Sequence, residues 1–224
     1  MQAFALVVAE GADGIELDVH LARDGRLVVR HDQTVTLPDG TVALIRDLTL
    51  DQIHGVDVGS QAWGTARIPE LAEVFELLAP TGLVLNVEVK NGPVLYPGIE
   101  QAVIAAHRAS GMADRLVYSS FNHLTLVALR EFEPSVSIAP LYEEALVDPW
   151  EYALHMGSGA AHPYYATLGL PGMIEGFAAS GVKVRAWTVN ADQDMRSLIR
   201  AGIDAIITDD PERALNVRKE IEGR

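Results

Sequence analysis

Gly11-Ala-Asp-Gly-Ile-Glu-Leu-Asp-Val19, followed beyond Asp24-Gly25 by Leu27-Val-Val-Arg-His31-Asp32, is the stretch on which the fold reading turns. Successive side chains of a strand point to opposite faces, so Glu16 and Asp18 project together while Ile15, Leu17 and Val19 line the other side. A strand with only acids on one face belongs to a sheet or barrel whose second face meets a polar site. Asp24-Gly25 carries the composition of a hairpin turn. Counting back from it sets Asp18 roughly opposite His31. Two anionic oxygens beside an imidazole suit a hard divalent cation with an acid/base group next to it.

Outward from this hairpin, apolar strand-like runs alternate with helical patterns. The strand candidates are Leu83 to Lys90, Leu116 to Phe121, Ser137 to Tyr142, Ala160 to Tyr165, Val182 to Val189 and Ala205 to Thr208. Helical periodicity covers Met1 to Glu10, Leu71 to Leu78, Ile99 to Ser110, Leu124 to Phe132, Gly172 to Ala179, Asp192 to Ala201 and Pro211 to Ile221. Gly111, Gly181 and Gly202 each follow a helical run, where a left-handed cap is expected. Strict alternation implies a parallel sheet covered by helices.

With Ile15 to Val19 counted, seven strand–helix units result. The expectation is an α/β fold, a TIM-type (β/α)8 barrel with seven recognisable strands and the first one missing, in a single domain over residues 1–224. Leu27 to His31 lies too close to its predecessor for a parallel crossover and opens a hairpin excursion. Residues 33–69 extend it, with a turn at Leu37-Pro-Asp-Gly40 and irregular chain elsewhere. A barrel of this kind gathers polar residues at the carboxyl ends of its strands. Asp18, Glu88 with Lys90, Ser119-Ser120-Phe121, Glu143, His162, Trp187 with Asn190, and Asp209 all fall there.

The formal net charge of −14 argues against a nucleic-acid surface, whose affinity comes from Lys and Arg neutralising phosphates. No apolar run reaches the roughly 20 residues that span a bilayer, so membrane insertion is not expected. The absence of cysteine removes disulfide and thiolate chemistry and is compatible with the cytoplasm.

Taken together, these residues resemble the glycerophosphodiester phosphodiesterase family of metal-dependent barrels. The resemblance rests on Gly11 to Val19, Asp24-Gly25 with Val28-Val-Arg-His-Asp32, Ile68-Pro-Glu-Leu71 and Leu85-Asn-Val-Glu-Val-Lys90. It continues through Ser120-Phe121, Ala186-Trp-Thr-Val-Asn190 and Gly202-Ile-Asp-Ala-Ile-Ile-Thr-Asp209. The pieces occur in the family's order and cover essentially the whole chain.

The resemblance implies hydrolysis of a small glycerophosphodiester substrate to glycerol 3-phosphate and an alcohol. It implies Mg²⁺ or Ca²⁺ held by Glu16, Asp18 and Glu88, His31 as one of two acid/base histidines, and Lys90 on a phosphate oxygen. Phe121 and Trp187 would wall the alcohol portion, and His162 would line the pocket. His20, His54, His107, His123 and His155 are read as structural or surface residues.

Two family signatures, His-Arg-Gly on the first barrel strand and the following Pro-Glu-Asn-Thr, do not occur in this sequence. The expectation is therefore either a chain that starts beyond that strand or a true seven-stranded, inactive descendant that keeps only phosphate-ligand binding, and in both cases a chain that is destabilised and catalytically poor. Comparable turnover by this chain and by one carrying the upstream strand would contradict it.

Overall fold

In the computed structural model, residues 1–61 and 64–223 are described, and two compact units account for them. The excursion at residues 62 and 63 lies outside the described residues.

The first unit comprises Met1–Ala9 and Asp13–Val136. After helix α1 (Gln2–Glu10) come strands β1 (Gly14–Leu21), β2 (Leu27–Val29), β3 (Thr34–Thr36) and β4 (Val42–Leu44). Helices α2 (Leu50–His54) and α3 (Leu71–Leu78) precede β5 (Val84–Val89), α4 (Ile99–Ala109), β6 (Leu116–Ser120) and α5 (His123–Phe132). Strand β1 runs parallel to β5 from Gly14↔Val84 to Val19↔Val89, and β5 runs parallel to β6. On its other edge β1 pairs with β2 in the antiparallel sense, Val19 opposite Val29. Leu17, Val19, Leu85, Val87 and Val89 are buried, as the apolar alternation requires.

The hairpin register differs by one residue from the expected one. Ala22 N–H donates to the Arg26 carbonyl at 2.8 Å, and Gly25 takes φ +81° inside the loop. The connection is thus three residues, Arg23-Asp24-Gly25, with glycine in the left-handed position that such loops need. The extra residue moves the pairing: Arg30 N–H donates to the Asp18 carbonyl, and His31 lies one step beyond.

The excursion is also more ordered than its sequence suggests. Strands β3 and β4 pair around the expected turn, Thr34 opposite Leu44. Helix α2 begins in a capping box between Thr49 and Gln52. Val28, Val35, Ile45, Ile53 and Ile68 form a core of their own there. These elements are too short to show periodicity, and they are fixed by burying apolar residues distant in sequence.

The second unit comprises Glu10–Ala12 and Ser137–Arg224. It holds β7 (Ser137–Tyr142), α6 (Pro149–His155), β8 (Ala160–Pro163), α7 (Met173–Ser180), β9 (Lys183–Ala186), α8 (Asp192–Arg200), β10 (Ala205–Ile206) and α9 (Pro211–Glu222). The strands pair in parallel in sequence order, Leu141 with His162, Ala160 with Lys183, and Ala205 with Arg185. Helix α6 was not expected. It is seven residues long, opens on Pro149, and packs the Trp150 ring edge-on against Phe177 at 5.6 Å. Strand β8 ends at Pro163, and Tyr165–Gly169 turn into a 3₁₀ helix instead of prolonging it. Gly111, Gly181 and Gly202 adopt positive φ, as their capping role requires.

Candidate active site

Three carboxylates come together because two parallel strands are in register. Glu16 and Asp18 share one face of β1, and the pairing sets Asp18 opposite Glu88 on β5. One oxygen from each of Glu16, Asp18 and Glu88 lies within 4.8 Å of the other two. Lys90, two residues beyond Glu88 and so on the same side, places Nζ 2.6 Å from Glu88 and 2.9 Å from Asp18. Its own N–H donates to the Val19 carbonyl at 3.1 Å, carrying the strand pairing to the lip of the site.

Glu88 is only 7% exposed, and burial pushes its pKa up to about 7, with Asp18 adding to the rise and Lys90 opposing it. Burial also works against the Lys90 ammonium, but Glu88 and Asp18 more than offset this and hold its pKa above the ordinary value. Lys90 is shared between Asp18 and Glu88 in a partly dry place. A hard divalent cation with oxygen ligands fits the donor set of Glu16, Asp18 and Glu88.

Glu88, Lys90, His31 and Phe121 line one cavity of about 570 Å³, together with His20, Asp32, Asn91, Tyr96 and Asn122. The His31 side chain is 78% exposed, with Nδ1 3.1 Å from Asp32 Oδ1. That bond holds the Asp32 carboxyl below its usual pKa. Phe121 is an exposed aromatic at the same opening.

Sequence reasoning passed over His20, Tyr96 and Asn91 as site residues. His20 is buried at the cavity, where its ring meets the Tyr96 hydroxyl and the His31 carbonyl. Its signal was present in the alternation Glu16, Asp18, His20 along one strand face.

The residues expected from the second unit behave differently. His162 was expected to line a pocket, but it has 0% exposure. Its Nε2 faces Arg185 at 3.2 Å, and its carbonyl accepts the Trp187 indole N–H at 2.8 Å. It supports Trp187 from behind, and burial together with Arg185 lowers its pKa to about 3. Trp187 remains partly exposed and packs at a tilt against Tyr164, 5.7 Å between centroids.

His54, Glu70 and Glu73 form a second acidic grouping. Arg67 bonds both His54 and Glu73 there, and Arg26 pairs with Glu70, so its charge is already met by arginines.

The parallel strand–helix architecture belongs to the TIM-type α/β class. The crystal structure of a putative glycerophosphoryl diester phosphodiesterase from Silicibacter pomeroyi shares this fold. It matches with a TM-score of 0.87 over 99% of this chain and 88% of its own, at 24% identity. A phosphodiesterase from Oleispira antarctica, solved in complex with the product sn-glycerol-3-phosphate, matches with a TM-score of 0.82 at 26% identity, covering 96% of this chain and 88% of its own.

The family model for the glycerophosphoryl diester phosphodiesterase family matches residues 1–213. A glycerophosphodiester phosphodiesterase from Caldanaerobacter subterraneus is 43% identical over 97% of this chain and 90% of its own length. One from Bacillus altitudinis is 32% identical over 99% and 93% respectively. The chain belongs to the glycerophosphoryl diester phosphodiesterase family and is a phosphodiesterase. Among the described residues, no helix is long and apolar enough to cross a membrane.

Proposed function

We propose that this protein hydrolyses glycerophosphodiesters to glycerol 3-phosphate and an alcohol, with Mg²⁺ or Ca²⁺ held by Glu16, Asp18 and Glu88. The observation that carries this reading is the convergence of those three carboxylates within 4.8 Å on adjacent strands. The Oleispira antarctica relative, solved with glycerol 3-phosphate, supports the choice of product. When bound, the ion supplies a Lewis acid for a phosphate oxygen and lowers the pKa of an attacking hydroxyl.

The chain's own residues supply further parts of the chemistry. Lys90 Nζ, anchored between Asp18 and Glu88, meets a phosphate oxygen as a point charge. His31 holds and returns a proton: Asp32 occupies Nδ1, which leaves Nε2 as the nitrogen that exchanges with the substrate. Phe121, exposed at the cavity, gives the alcohol portion an apolar wall.

The test is release of glycerol 3-phosphate from glycerophosphocholine. A chelator is expected to abolish it and added Mg²⁺ or Ca²⁺ to restore it, and Glu16→Ala and His31→Ala are each expected to lower it. Unchanged rates in both variants would overturn the assignment.

A further inference from the structure

We propose that His20 and Tyr96 are positioning residues that hold the His31 segment against the cavity, an inference that rests on the acid/base reading of His31. His20 stands on β1 two residues beyond Asp18, on the face that carries the carboxylates, and is 2% exposed. Its Nε2 lies 3.2 Å from the His31 carbonyl oxygen and its Nδ1 2.8 Å from the Tyr96 hydroxyl.

Those two contacts fix the tautomer. A carbonyl only accepts, so Nε2 carries the hydrogen and donates. Nδ1 is then the acceptor of a neutral imidazole, and the Tyr96 hydroxyl donates to it. With both ring nitrogens committed, His20 has no free site for exchanging a proton with substrate. Its work is to hold.

Tyr96 is held in turn. Its N–H donates to Asn91 Oδ1 at 2.8 Å. Asn91 Nδ2 donates to Glu100 on α4 and Thr125 on α5, each at 3.0 Å, and the Asn91 carbonyl accepts from Asn122 Nδ2 at 2.6 Å. Asn91 follows Lys90 directly, so one continuous set of bonds runs from two helices, past the lysine, to the His31 carbonyl. The exposed His31 side chain pairs with Asp32, itself 63% exposed, and a partner so open to solvent cannot set its distance from the strands. A buried tether to the backbone can. Removing the Tyr96 hydroxyl leaves Nδ1 buried without a donor and frees the ring to turn away from His31.

The experiment is steady-state turnover of glycerophosphocholine at saturating Mg²⁺. Tyr96→Phe and His20→Leu are expected to lower kcat about 10- to 100-fold with KM within about threefold, since misplacing a proton-transfer group costs rate more than binding. His20→Gln offers one donor and one acceptor and is expected to recover kcat to within about threefold of the parent. In a His31→Ala background, Tyr96→Phe is expected to cause no further loss.

Parent-like kcat in Tyr96→Phe would overturn the proposal, and so would an equal further loss in the His31→Ala background, which would mark a purely structural role. If His20→Leu does not fold, Tyr96→Phe decides. Full turnover in His31→Ala alone would refute the acid/base reading itself and remove the brace with it. Loss in His31→Ala beside an inert Tyr96→Phe would refute only the brace.

Discussion

The strand ends of the two units use buried polar groups in opposite ways. At the ends of β1 and β5, carboxylates and a lysine are packed together, and burial makes the ionisation of Glu88 costly. At the ends of β8 and β9, Arg185 faces His162 Nε2 and the His162 carbonyl holds Trp187, while His162 Nδ1 is buried without a hydrogen-bond partner among the described residues. A histidine sealed behind an arginine contributes position and stays neutral. The polar strand ends that look alike in sequence are therefore not equivalent in the folded chain.

Substitutions at the first cluster break this contrast most severely. Glu88→Ala is expected to lower glycerol 3-phosphate release about a thousandfold and to abolish saturable Mg²⁺ binding by calorimetry. His31→Ala is expected to cost about 100- to 10,000-fold in kcat and leave metal binding intact, as loss of an acid/base group does. Equal damage to metal binding by both variants would show that the two roles had been wrongly separated.

The second region should report through stability instead. His162 has its folded pKa lowered to about 3 from 6.5, so the unfolded chain binds a proton in this interval and the folded chain does not. Stability from this group is complete above pH 6.5 and declines as pH falls toward 3, by up to about 1.4 kcal/mol per pH unit. Denaturant midpoints measured across that range should flatten in His162→Gln, and a slope that survives the substitution would assign it elsewhere.

Gly176→Ala sets a Cβ 2.1 Å from the Trp150 ring. It is expected to destabilise by about 1–3 kcal/mol through overpacking, read as a lowered unfolding midpoint. The smallest effect belongs to Arg67→Ala. Its partner Glu73 has its pKa lowered to about 2 by that arginine, yet the pair stays in contact with solvent, so a change of less than about 1 kcal/mol is expected.

Much of this was legible in the sequence where periodicity and side-chain chemistry agree. Glu16, Asp18, Glu88 and Lys90 could be grouped because strand alternation fixes their face, and parallel register then closes the group. The hairpin register was misjudged by one residue, since Asp24-Gly25 alone does not tell a two-residue turn from the three-residue loop that Arg23 completes. The β3–β4 pair and α2 were illegible because three to five residues carry no usable period. His162 looked like Glu88, both being polar residues at strand ends, and composition cannot report that one of them has no exposed surface.

The sequence by itself determined the alternation of strands and helices, the face each carboxylate takes and the family to which the chain belongs, because these follow from local backbone geometry and from ordered motifs. Only the tertiary structure decided that His20 reaches Tyr96 and His31, that His162 is sealed behind Arg185, and that the excursion builds its own core. Those outcomes depend on which distant side chains exclude water from one another, and no local pattern encodes that.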